Sequence, residues 1–148
     1  MTGEPGRDID LDTVTRRLTH LRQVLDDLGS LDGVGAADLD RDRVTRYAVE
    51  RMLTLVVELA VDVNAHVSAR RLGRSPGDAR TAFDLAAEAG LISQALASTL
   101  KPSVGLRNLL THVYLPGDLD IPPASIPEAI DRYGEYVRQV ARALQGSA

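Results

Sequence analysis

Leu11, Val14, Leu18, Leu21, Leu25 and Leu28 recur at alternating spacings of three and four, the period of a single helix face. They predict a first helix from Asp8 or Asp10 to Leu28, ended by the loop glycines Gly29, Gly33 and Gly35. Asp38 or Asp40 then offers a cap for a second helix running to Leu72, with Gly73 as its stop. That helix carries two apolar stripes. Val44, Tyr47, Met52, Val56, Leu59 and Val63 belong to one, and Val49, Leu53, Val57 and Val61 to the other. A helix apolar on two sides needs more than one neighbour, within the bundle or in a second subunit.

Ser75 and Pro76 signal the start of a short Ala-rich helix around Phe83 and Leu85, stopped at Gly90. A fourth helix begins at Leu91, is kinked or interrupted at Pro102, and resumes through Leu106, Leu109, Leu110 and Val113. Ser125 and Glu128 read as a capping box for the last helix, lined by Ile126, Ile130, Tyr133, Val137, Val140 and Leu144. No segment alternates with period two. The expected fold is all-α, an up-and-down bundle of four to five helices. Residues 1–7 read as a flexible tail and 8–148 as one domain.

Length fits this picture, because 148 residues suffice to bury a core. No run of apolar residues is long enough to predict a transmembrane helix, and the N-terminus lacks a signal-peptide pattern. Without cysteine, disulfides and thiolate metal sites are excluded, and a cytoplasmic location is expected. The net charge of −4 gives no global attraction to nucleic acid, and DNA and membrane partners are not expected. Lys101 is the single lysine among 17 basic residues, so clusters such as Arg41, Arg43, Arg46 or Arg70, Arg71, Arg74 reflect composition and read as solvated faces. One Phe and four Tyr are too few for a base-stacking platform.

The chemistry concentrates in LRNLLTHVY, residues 106 to 114. On an ideal helix Arg107 and Tyr114 lie almost in line, while Asn108 and His112 form a row about 100–140° away. One helix therefore fans these groups too widely to act on a single atom. Either the helix end unwinds before Leu115-Pro116-Gly117, or the same segment of a second subunit pairs with it across a twofold axis. Histidine exchanges protons near neutral pH, and arginine offers a permanently charged fork suited to phosphate. Together they suffice for metal-free RNA cleavage, in which the ribose 2′-hydroxyl attacks its own phosphodiester. The bland alternative is a helix end with a histidine near the dipole and an amphipathic tyrosine.

Arg107-Asn108-x-x-x-His112-x-Tyr114 resembles the R-x4-6-H-x-Y signature of HepT-like toxins, within the HEPN superfamily of small helical proteins. The stretch from Tyr47 to His66 is similar to the long family helix that carries Asp and His near its end. AFDLAAEAGLISQALASTL resembles the segment before the motif, and Asp118 stands four residues after the tyrosine, as is usual in the family. The similarity covers about residues 44–144. Pro102 and Gly117 depart from the pattern. The resemblance implies a homodimeric toxin of a type VII HepT/MntA-like system. Arg107 and His112 would be its catalytic residues, with Asn108, Asp62 and His66 supporting them. It also implies a nucleotidyltransferase antitoxin that transfers AMP from ATP to Tyr114, with no resident cofactor. The competing readings are a catalytically silent HEPN module that docks the nucleotidyltransferase, and a purely structural dimerising bundle.

Asp62 and His66, one turn apart, could also begin a metal site, but no third ligand is evident and none is expected. His20 reads as surface, and Asp118 and Asp120 as turn residues.

Overall fold

The computed structural model describes residues 8–31, 33–112, 121 and 124–145. The expected tail at 1–7 lies outside them. Among the described residues there are seven helices and no strand. They are α1 (Leu11–Gly29), α2 (Ala36–Arg41), α3 (Arg43–Leu72), α4 (Ala79–Glu88), α5 (Gln94–Leu100), α6 (Pro102–Thr111) and α7 (Ser125–Gln145). The all-α expectation holds, but two of the five expected helices are each broken in two.

Both breaks have local causes. Asp42 adopts extended angles (φ −120°, ψ 97°), and its carboxylate accepts from Val44 N and Thr45 N. It therefore ends α2 and caps α3, where Asp38 or Asp40 was expected to cap. Asp38 is instead engaged with Gly35 N at 2.8 Å. The second break is the expected one. Pro102 has no N–H to donate, so it stands at the first turn of a new helix and α5 stops before it.

Other boundaries follow capping chemistry. Asp10 caps α1 by accepting from Thr13 N, and Asp78, rather than Ser75, caps α4 through Thr81 N at 2.7 Å. α5 begins after Ser93, whose hydroxyl accepts from Leu96 N, so Leu91 and Ile92 are buried loop residues rather than helix. α4 ends in a Schellman motif: Gly90 takes φ 78°, Leu91 N donates to Ala86 O, and Gly90 N to Ala87 O. The capping box at Ser125 does not form. Ser125 is the first residue inside α7 and is buried, and the Glu128 carboxylate faces Arg132 at 3.5 Å.

α3 is the spine of the bundle. It packs against α1, α4, α6 and α7, which is why it is apolar on more than one side. Its length and composition would allow it to cross a membrane, yet 56% of its most apolar window is buried within the fold. α1 also lies along α7, and α5 contacts α4, α6 and α7. Where α3, α4 and α7 meet, the rings of Phe83, Tyr133 and Tyr136 stack edge to face with centroids 6.4 and 6.1 Å apart. The Tyr136 hydroxyl donates to Asn64 Oδ1 at 2.6 Å, tying α7 to α3 through the core.

The stripe on α3 is not buried along its whole length. Val44 (76% exposed) and Tyr47 (63%) stand in solvent, although the pattern places them with core residues. Leu109 of α6 is also exposed, at 53%. Tyr47, Glu50, Arg51 and Thr54 of α3 border one shallow depression with Leu110 and Thr111 of α6. Part of the apolar surface left open among the described residues thus lies beside the end of α6, and Leu11 of α1 is exposed as well.

Candidate functional site

α6 carries the polar motif, and its two sides face different surroundings. Arg107 turns inward. It is half-buried and lines a cleft of about 240 Å³ with Leu53 and Val57 of α3, Ser103 of α6, and Glu128, Arg132 and Tyr133 of α7. Its Nε is buried and finds no hydrogen-bond partner among the described residues. A buried, unpaired guanidinium nitrogen is costly, so the fold holds this group in place without satisfying it.

Next to Arg107, the Tyr133 hydroxyl lies 2.6 Å from Ser103 Oγ. Ser103 spends its proton on Leu100 O, so Tyr133 is the donor. Burial pushes the Tyr133 phenol far above its ordinary range, and the Ser103 hydrogen bond and the Arg107 charge only partly offset this. Tyr133 is therefore a neutral donor lining the cleft. The sequence pattern places it correctly in the core but carries no sign that its hydroxyl faces Arg107.

Asn108 and His112 face the other way, and both are exposed. Neither side chain makes a hydrogen bond or ion pair among the described residues. The helix ends at Thr111, short of the expected run through Val113, because His112 takes ψ 148°. Its φ of −80° is still near helical, which keeps its Cβ on the track of α6. The expected fan is therefore present: Arg107 and His112 diverge by about 140° around the axis. Tyr114, Gly117, Asp118 and Asp120 lie outside the described residues.

Asp62 and His66 are not brought together with this cluster within one chain. The Asp62 carboxylate pairs with Arg17 Nε at 3.6 Å. His66 Nε2 accepts from Asp10 N at 3.0 Å, at the cap of α1. Val57, which lines the Arg107 cleft, is about 13 Å along α3 from His66. The arginines of the two clusters are mostly paired, and Arg46 departs from the expected solvated face, its side chain being only 13% exposed. Arg46 meets Glu50 and Asp40, Arg71 donates to Ala89 O, and Arg74 pairs with Glu88.

Three polar side chains of one motif thus stand without a hydrogen-bond or ion-pair partner among the described residues, one reaching into a cleft and two in solvent beside exposed apolar side chains. A sequence model described as ribonuclease HepT-like matches residues 9–140, which includes the first helix as well as the motif. The chain belongs to the HepT-like family. Similar proteins include the tRNA nuclease HepT of Aphanizomenon flos-aquae, 29% identical over 130 residues that cover 86% of each chain. The mRNA nuclease HepT of Shewanella oneidensis is 26% identical over 125 residues, covering 84% of this chain and 88% of that one. Among solved structures, the fold matches the tri-AMPylated Shewanella oneidensis HEPN toxin in complex with MNT antitoxin, with a TM-score of 0.76 at 23% identity. A toxin–antitoxin structure with AMP-PNP matches at 0.76 and 22%. Both matches cover 88% of this chain and 98% of the other. Family membership rests on the sequence model, and the solved structures show that the fold is shared.

Proposed function

We propose that this HepT-like chain is a metal-independent endoribonuclease whose site is completed across a homodimer. The observation that carries the reading is the divergence of Arg107 and His112 on α6, each without a hydrogen-bond or ion-pair partner among the described residues, beside the exposed Val44, Tyr47 and Leu109. A second copy seated on that surface supplies the His112 that Arg107 lacks on its own side. His112 takes the proton of the ribose 2′-hydroxyl or returns one to the leaving oxygen. Arg107, held half-buried, stabilises the charge that builds on phosphorus. Asn108 orients the imidazole or the phosphate. Asp62 and His66 support the site only from a distance, through the seating of α1 on α3.

Regulation follows the same chemistry. A nucleotidyltransferase antitoxin transfers AMP from ATP to the Tyr114 hydroxyl, releasing pyrophosphate. The added phosphate and nucleoside compete with RNA near Arg107. A cytoplasmic location accords with RNA as the substrate.

The test mixes variants. Arg107→Ala and His112→Ala are each expected to lose RNA cleavage and growth arrest, and co-refolded together they regain part of the cleavage. One site of the mixed dimer then pairs an intact arginine with an intact histidine. No regain would place both groups in one chain, and a wild type that neither cleaves RNA nor slows growth would overturn the nuclease reading. Co-expression with the antitoxin is expected to add AMP masses that vanish in Tyr114→Phe.

A further inference from the structure

Gly105 sits in the middle of α6, where glycine costs about 1 kcal/mol relative to alanine. A Cβ at this position would lie 3.2 Å from Nη2 of Arg80. The guanidinium of Arg80, from α4, therefore rests directly on the backbone of α6. Helix geometry puts Asn108 about 60° and His112 about 20° from Gly105 around the axis, so all three share one face. Along the axis they lie about 4.5 and about 10.5 Å away. Arg80 is exposed, on the same side of α6 as the two exposed motif residues.

Its charge is also left available. The carboxylate one turn along α4, Asp84, is the natural ion-pair partner for Arg80. Lys101 occupies it instead, with Nζ 3.0 and 3.1 Å from the two oxygens. The Arg80 side chain makes no hydrogen bond or ion pair among the described residues. Asp78, the cap of α4, feels its charge only as the weakest of several influences. In a chain of net charge −4, a guanidinium with no hydrogen bond or ion pair among the described residues is thus parked on the helix face that presents His112.

We propose that Arg80 is a phosphate anchor for RNA: it binds the phosphodiester neighbouring the one presented to His112. The inference rests on the ribonuclease reading and adds a binding residue outside the motif. A guanidinium on a phosphate positions the strand without reading its bases. Arg80 therefore acts on substrate binding and leaves the chemical step to Arg107 and His112.

The experiment measures anisotropy of a short fluorescein-labelled single-stranded RNA of mixed sequence against the His112→Ala dimer over a series of salt concentrations. Adding Arg80→Gln is expected to make the log–log salt dependence shallower by about 0.7, the loss of one phosphate contact, while Arg80→Lys retains the wild-type slope. In an otherwise wild-type chain, Arg80→Gln raises KM for RNA cleavage and leaves kcat in place. An unchanged slope, equal behaviour of the Gln and Lys variants, no RNA binding at all, or a fall in kcat at constant KM would each overturn the assignment. So would weakened capture of the nucleotidyltransferase with RNA binding intact. Wild-type cleavage is scored separately, so a failure of the nuclease reading is distinguishable from a failure of the anchor.

Discussion

Replacing Tyr136 by Phe deletes one oxygen from the centre of the bundle. Tyr136 is fully buried, and its hydroxyl donates to Asn64 Oδ1 at 2.6 Å, with Ala60 O at 3.2 Å. Asn64 is itself fully buried, and its Nδ2 already lacks a partner among the described residues. The substitution would leave the other end of that amide unpaired as well. Stranding a buried acceptor costs about 1–3 kcal/mol, which for a chain of this size corresponds to a fall in Tm of about 4–8 °C around the middle of that range. Tyr133→Phe is the internal control. Its hydroxyl bonds Ser103, which is half-buried on the Arg107 cleft, where water can take over, so its cost is about 0.5–1.5 kcal/mol. Urea unfolding of both variants at one fixed protomer concentration separates them. Asn64→Leu placed on Tyr136→Phe should recover most of the loss, because an apolar pair strands nothing. A Tyr136→Phe protein as stable as wild type, or less affected than Tyr133→Phe, would refute the reasoning.

Gly73 closes α3 at φ 66°, so Gly73→Ala is expected to cost about 1 kcal/mol, whereas Gly77→Ala, with no positive φ and open space around it, stays within about 0.5 kcal/mol in the same urea assay. Stability should also follow two titrations with opposite signs. Burial raises the Tyr133 and Tyr136 phenols, so their contribution is complete below the ordinary phenol pKa of about 10 and is lost as pH climbs beyond it. Hydrogen bonds from Thr13, Thr45 and Thr81 lower the capping carboxylates Asp10, Asp42 and Asp78, so theirs is present above about pH 4 and is lost as pH falls through the lowered values. Urea midpoints across the pH range check both, and an alkaline loss already complete at pH 9 would contradict the tyrosine burial. Finally, under the proposed homodimer Tyr47→Asp is expected to give a monomer that does not cleave RNA while leaving the helical circular dichroism intact, as read by light scattering and gel assay. A monodisperse active dimer in that variant would move the interface elsewhere.

The helices and most of their faces were legible from spacing alone, since burial on α1 and α7 follows the three-and-four period that any amphipathic helix must show. The interruption at Pro102 was equally legible, because a missing N–H is a local covalent fact. Which of several aspartates caps α3 was not. Asp38, Asp40 and Asp42 offer the same carboxylate, and only the path of the chain decides which one meets free N–H groups. Val44 and Tyr47 show the same limit, because an apolar stripe records that a face is suited to burial, not which neighbour covers it. The motif at Arg107, Asn108, His112 and Tyr114 fixed the chemical groups and, through helix geometry, their divergence. Only the tertiary packing decided that Arg107 turns under α6 beside Tyr133 while Arg80 of α4 lies across Gly105. Those pairs are 26 and 25 residues apart in the chain, and spacing along a sequence carries no information about which distant side chains the packing of helices brings into contact.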